Sequence, residues 1–115
     1  MARNLKTIEE ISRFIEKVQG EAKHHAPKVL DVIQPLSDAV VKKLQLGVDK
    51  FEVFERNGKL ARTCWVVLGG KRYVFKYNYG NKTIDLLNQS LQGTIRFSFD
   101  NNTDYADIIQ QVKSL

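Results

Sequence analysis

Two dipeptides, Asn57-Gly58 and Gly69-Gly70, constrain the fold of this chain more than any other feature. Each is a two-residue hairpin signal set in a stretch of period-two hydrophobicity. A two-residue turn fixes the register of the strands it joins, and register fixes which side chains share a face. Residues 50–79 therefore read as three antiparallel strands in a meander, the third being KRYVFKYNY, Lys71 to Tyr79. Counting outward from Gly69-Gly70 sets Val66 opposite Tyr73, Trp65 opposite Val74, Cys64 opposite Phe75 and Arg62 opposite Tyr77. Counting from Asn57-Gly58 sets Arg56 opposite Lys59, Glu55 opposite Leu60, Val53 opposite Arg62 and Phe51 opposite Cys64, which brings Lys50 across from Trp65.

These registers divide KRYVFKYNY between two faces. Tyr73, Phe75, Tyr77 and Tyr79 join Phe51, Val53, Leu60, Cys64, Val66 and Leu68 on an inner face. Glu55 and Arg62 are its exceptions and lie diagonally within reach of each other. The outer face collects Lys50, Glu52, Phe54, Arg56, Lys59, Ala61, Thr63, Trp65, Val67, Arg72, Val74, Lys76 and Asn78.

The rest of the chain is mostly helical in pattern. Thr7-Ile8-Glu9-Glu10 is a capping box. Behind it Ile8, Ile11, Phe14, Ile15 and Val18 recur at helical spacing, giving a helix over 7–24. Pro27 suits the first turn of a second helix, with Val29, Ile33, Leu36, Val40 and Leu44 as its stripe and Gly47 as its stop. Pro35 inside that helix predicts a kink or a split. Ile84, Leu87 and Leu91 followed by Gly93 fit a short helix over 83–92, with a strand or loop as the alternatives. Residues 94–99 read as a fourth strand, with Ile95, Phe97 and Phe99 inward and Arg96 outward. Asn102 or Thr103 is the expected cap of a last helix striped by Tyr105, Ile108, Ile109, Val112 and Leu115.

The expected fold is one α+β domain over residues 1–115: a four-stranded, mainly antiparallel sheet with two N-terminal helices and one C-terminal helix packed on one face. The fourth strand can pair at either edge. No apolar run approaches the roughly 20 residues a membrane span needs. The N-terminal segment lacks the apolar centre of a signal peptide, and Cys64 stands alone, so a cytoplasmic protein is expected.

Charge gives the function reading its direction. The net charge is +5, and from Arg56 to Ile84 there are seven basic residues and no acidic one. A segment of one sign attracts anions. On the outer face Lys50, Arg56, Lys59, Arg72, Lys76 and Arg96 stand against one acid, Glu52, with Trp65 near their centre. Cations that can follow phosphates beside an aromatic that can stack on a base are the chemistry of single-stranded nucleic-acid binding. Those six cations and Trp65 are the candidate site of a non-catalytic binding module. The same surface, apolar at its centre and polar at its rim, also suits an acidic protein or a second copy of the chain.

Catalytic signals are weak. Adjacent His24 and His25 point about 100° apart on a helix and do not easily share a metal. Glu52 and Glu55 face opposite sides of their strand. Cys64 reads as a buried, inert thiol. A metal-independent ribonuclease could be assembled from Glu52, one of the histidines and Arg72, but the helices should carry the histidines to the other side of the sheet. No phosphate loop, dinucleotide fingerprint, nucleophile elbow or zinc spacing is present. The sequence therefore implies no catalytic residue, metal or cofactor.

Overall fold

Thr7 opens the first helix as its sequence requires: its Oγ1 accepts from the Glu10 amide at 3.1 Å, and the Glu10 carboxylate reaches back to the Lys6 amide at 3.1 Å. The computed structural model describes residues 2–56 and 59–115, and the side chains of 4–53 and 63–115. A short strand β1 (Ala2–Asn4) precedes helix α1 (Ile8–His25). A 3₁₀ turn (Pro27–Val29) leads into α2 (Leu30–Lys43). Five longer strands follow: β2 (Lys50–Arg56), β3 (Lys59–Leu68), β4 (Lys71–Asn78), β5 (Thr83–Asn88) and β6 (Ile95–Phe99), and α3 (Tyr105–Lys113) closes the chain. The strands pair in chain order, every neighbour antiparallel, as one meander.

The fold class is as expected and the strand count is not. Residues 83–88 form β5 rather than a helix, and β1 adds a short edge strand, so the sheet has six strands instead of four. The physical reason lies in β5 itself. It sits between β4 and β6, and Asp85 and Leu87 on one face are buried as Leu86 is on the other, so no alternation shows. The spacing of Ile84, Leu87 and Leu91 then mimics a helix by coincidence. The placement of β6 is also settled: it pairs with β5.

Gly69-Gly70 makes the expected turn. Both glycines have positive φ, +58° and +83°, the pattern of a type I′ turn that matches strand twist. Val66 lies opposite Tyr73, Trp65 opposite Val74 and Cys64 opposite Phe75, as counted from the sequence. Asn57-Gly58 lies outside the described residues, as do the side chains of Phe54, Glu55, Arg56, Lys59, Leu60 and Arg62, so the Glu55–Arg62 contact does too. The flanking pairs Arg56–Lys59 and Glu55–Leu60 are in the expected register. Beyond them the register shifts by two residues: Val53 faces Cys64 rather than Arg62, and Phe51 faces Val66 rather than Cys64. A shift of two preserves parity, so each side chain keeps its face while its partner changes.

All three helices share the inner side. Phe51, Val53, Val66, Leu68, Tyr73, Phe75, Leu86 and Phe99 merge with Ile11, Phe14, Ile33, Leu36, Val40, Ile108 and Val112 into one core. Fully burying one such aliphatic side chain contributes roughly 1.5–3 kcal/mol. Phe14 meets Phe51 edge-on, ring centroids 5.8 Å apart, and so sets the distance between α1 and the sheet. α2 runs unbroken through Pro35. The missing proline amide would have served the carbonyl of exposed Asp31, which water can reach.

Neither Asn102 nor Thr103 caps α3, whose N-cap is Asp104 without a side-chain bond. Thr103 instead accepts from the Asp100 amide. The neighbouring Asn101 caps a different helix. Its Oδ1 accepts from the Asp31 and Val32 amides at 2.8 and 3.2 Å, and its Nδ2 donates to the Pro27 carbonyl at 2.8 Å. This contact ties the start of α2 to the end of β6. Asn101→Ala should cost about 1–2 kcal/mol of unfolding free energy in urea titration, the upper range for a lost N-cap. A cost near zero would show that water serves these amides equally well. Among the described residues, no helix is long and apolar enough to cross a membrane.

Candidate functional site

The outer face is ordered in rungs, because each strand places every second residue there. One rung runs Lys50–Val67–Arg72 across β2, β3 and β4. The next runs Glu52–Trp65–Val74–Leu87–Ile95, and a third Thr63–Lys76–Asp85–Ser98. The middle rung is an apolar bar flanked by cations. Val74 has 0 % of its surface exposed although it lies outside the helix-covered core. Its neighbours on this face are Trp65 and Leu87 on either side and Arg72 and Lys76 along its own strand, whose long stems are of the kind that covers apolar surface. The Arg72 guanidinium carbon stands 5.6 Å from the centroid of the Trp65 ring, a cation–π geometry.

Three of the expected site residues come together here as exposed cations: Lys50, Arg72 and Lys76. Trp65 lies between them, half-buried. Arg56 and Lys59 pair across the β2–β3 hairpin, and their side chains lie outside the described residues.

Arg96 is not on this face, which corrects the sequence reading. β6 carries a β-bulge: Leu86 pairs with Phe97, yet Leu87 pairs with Ile95, so Arg96 is an extra residue opposite nothing. The bulge turns Ile95 to the outer rung, where it is 52 % exposed, and turns Arg96 toward the inner side. The Arg96 guanidinium carbon lies 5.7 Å from the centroid of the buried Tyr73 ring, and its Nη1 donates to Asn88 Oδ1 at 3.2 Å. The two-residue shift between β2 and β3 has a second consequence. Glu52, not Lys50, stands across from Trp65.

The face also carries two residues that the sequence reading missed by making 83–92 helical. Leu87 extends the apolar bar. Asp85 is a buried carboxylate, 4 % exposed, directly across from Lys76. Its Oδ1 accepts from Thr83 Oγ1 at 2.7 Å and Ser98 Oγ at 2.8 Å, and its Oδ2 accepts from Asn78 Nδ2 at 2.9 Å. A buried charge is tolerable when it is hydrogen-bonded this fully. The signal that could have found the strand is Thr83-Ile84, β-branched residues just after the Gly80-Asn81 turn. Counting these residues, the described part of the face holds three cations and two acids, a milder field than the sequence count suggests.

Among the described residues, the groups weighed for catalysis do not come together. His24 and His25 are exposed at the end of α1, with rings 6.3 Å apart, and belong to the helical layer on the inner side. Glu52 lies on the outer face, so the sheet separates it from both. Burial pushes the Cys64 thiol up to about 12, which leaves it protonated and a poor nucleophile at neutral pH. Among the described residues, no group of three or more His, Cys, Asp or Glu is placed to hold a metal ion.

The model of a family described as "Integron cassette protein VCH_CASS1 chain" matches residues 11–108, from α1 through the first turn of α3. No curated protein matches the chain.

Proposed function

The chain belongs to this integron cassette protein family, and we propose that it is a non-catalytic binding module whose outer sheet face takes single-stranded nucleic acid. The observation that carries the reading is the Arg72–Trp65 stack, set on a helix-free sheet face with Lys50 and Lys76 on the flanking rungs. Arg72, Lys50 and Lys76 neutralise phosphates, and the Arg72–Trp65 pair meets a base. Arg56 and Lys59 extend the cationic track along the β2–β3 hairpin, while Arg96 is given to the inner side. Glu52 and Asp85 keep the affinity modest.

Titration with a mixed-sequence single-stranded oligonucleotide, followed by the fluorescence of the one tryptophan, tests this. Phosphates neutralised by Arg72, Lys50 and Lys76 predict a log–log salt slope of roughly −2, since each contributes about 0.7 on single strands, and engagement of Arg56 and Lys59 steepens it toward about −3.5. Arg72→Ala and Lys76→Ala should each reduce that slope by about one phosphate's share. An emission signal indifferent to oligonucleotide at low salt would sink the proposal. Ile95, exposed at the end of the apolar bar, favours a second reading, a docking face for an acidic protein or for another copy of the chain. Mass by light scattering that rises with concentration, and falls back in Ile95→Lys, would support self-association over nucleic acid.

A further inference from the structure

On the other side of the sheet the core is not filled. A cavity of about 130 Å³ lies between α1, α2 and the inner face of β2 to β5. Well-packed interiors hold few voids larger than a water molecule. The origin of this one is legible in α1. Its inward stripe begins with Ile11, Phe14, Ile15 and Val18 and ends with Ala22, and the cap residue Ala26 follows in line; both alanines are buried. The Phe14–Phe51 contact holds the helix off the sheet at the distance two large side chains need. Two turns further on and beyond, the single methyl groups of Ala22 and Ala26 face the same gap and cannot close it. On α2 the facing residue is small too: Ser37, whose hydroxyl is spent on its own helix, donating to the Ile33 carbonyl at 2.6 Å.

The lining has one chemical character. Ile33, Val40, Phe75 and Ile84 form its walls, and Cys64 presents a protonated thiol. Among the described lining residues, the acidic and histidine side chains are those of Glu21 and His25, and both are exposed on α1 at the rim. Tyr77 and Tyr79, in edge-to-face contact at 5.0 Å, frame the opening from the sheet side, with Tyr79 58 % exposed.

We propose that this cavity is a binding site for a small, uncharged, ring-sized apolar molecule, admitted between the Tyr77–Tyr79 pair and the rim of α1. An apolar protein cavity of roughly 150 Å³ stays dry and takes up benzene, so the volume here suits one aromatic ring with a small substituent. A charged ligand is disfavoured, because among the described residues the walls hold no partner for a buried charge. The site is independent of the outer face, from which the sheet separates it.

The full chain can be tested with toluene and indole as neutral probes and with benzylamine and benzoate as charged counterparts of similar size. At ten times its dissociation constant a neutral probe should raise the midpoint of thermal unfolding by roughly 5 °C. The charged counterparts should produce little or no rise. Intermolecular NOEs from the toluene ring should reach the methyls of Ile33 and Val40 in the unaltered protein. Trp65 emission should not respond to toluene, whereas oligonucleotide on the outer face should change it. Ala22→Leu and Ser37→Leu fill the space from opposite helices and should each abolish the thermal rise; if one fails to fold, the other and the NOEs decide. Absence of a rise with both neutral probes, an equal rise in a folded filled variant, or larger rises with the charged compounds would each overturn the proposal.

Discussion

Phe99→Ala should lower the unfolding free energy by about 3–5 kcal/mol, while Ile95→Ala on the same strand should cost under about 1 kcal/mol. Phe99 is fully buried, pairs with Ile84 across β5, and packs against Phe97 with ring centroids 4.8 Å apart. Truncating it removes a large apolar side chain from water-free surroundings and leaves a void that the sheet and α2 can close only in part. A loss of this size is a large fraction of the total stability of a domain this small, about 5–15 kcal/mol. Ile95 has the same alternation phase in the sequence as Phe99, and without the bulge both would point inward. The bulge at Arg96 inverts that phase, so Ile95 already shows half its surface to water. Urea denaturation of the two variants measures the bulge directly. Similar losses for both would mean that β6 alternates regularly and that Arg96 faces outward after all.

The same strand shows where the sequence is legible and where it is not. Gly69-Gly70 acts locally: two residues with positive φ dictate one turn type, and the turn dictates the pairs around it, all of which can be counted from the letters. The bulge on β6 is not local. It depends on how the 89–94 turn returns to β5, where Gly93 passes so close to Asn88 that an added Cβ would overlap the Asn88 carbonyl. The glycine is visible in the sequence, but the approach that requires it is not. β5 fails for another reason: a strand buried on both faces loses the period-two signal that marks a strand at all.

The candidate site was legible in the same uneven way. The inner and outer faces of β2 and β3 survive because the register error is two residues, which cannot move a side chain through the sheet. Partners are not protected by parity, and so Glu52 takes the place expected for Lys50. The cavity is hardest to read, since its cause is the absence of atoms. Ala22 and Ala26 are good helix formers and mean nothing alone. They mark a void only once Phe14 and Phe51 are known to hold the layers apart.

Asp85→Ala should destabilise the fold by about 3 kcal/mol, and Asp85→Asn by less, about 1–2 kcal/mol. Hydrogen bonds to a charged acceptor contribute more than neutral ones, and this carboxylate accepts three. Alanine strands the Thr83, Ser98 and Asn78 donors together, although exposed Ser98 can turn to water and limit the damage. Asparagine keeps an oxygen for the two hydroxyls but presents an amide to the Asn78 amide. Asn78 cannot simply flip to meet it, because its Oδ1 accepts from the Asn81 backbone at 3.1 Å and holds the β4–β5 turn. The order wild type, Asn, Ala in urea midpoints tests the network, and equal losses for the two variants would show that only the charge matters. Asp85→Asn has a second readout. It removes a negative charge from directly across Lys76 while keeping the sheet intact. If Lys76 binds a phosphate on the outer face, oligonucleotide affinity in Asp85→Asn should rise several-fold at low salt and the gain should shrink as salt screens it. A variant that is folded, less stable and no tighter would place the bound strand away from Lys76, toward the Lys50–Arg72 rung.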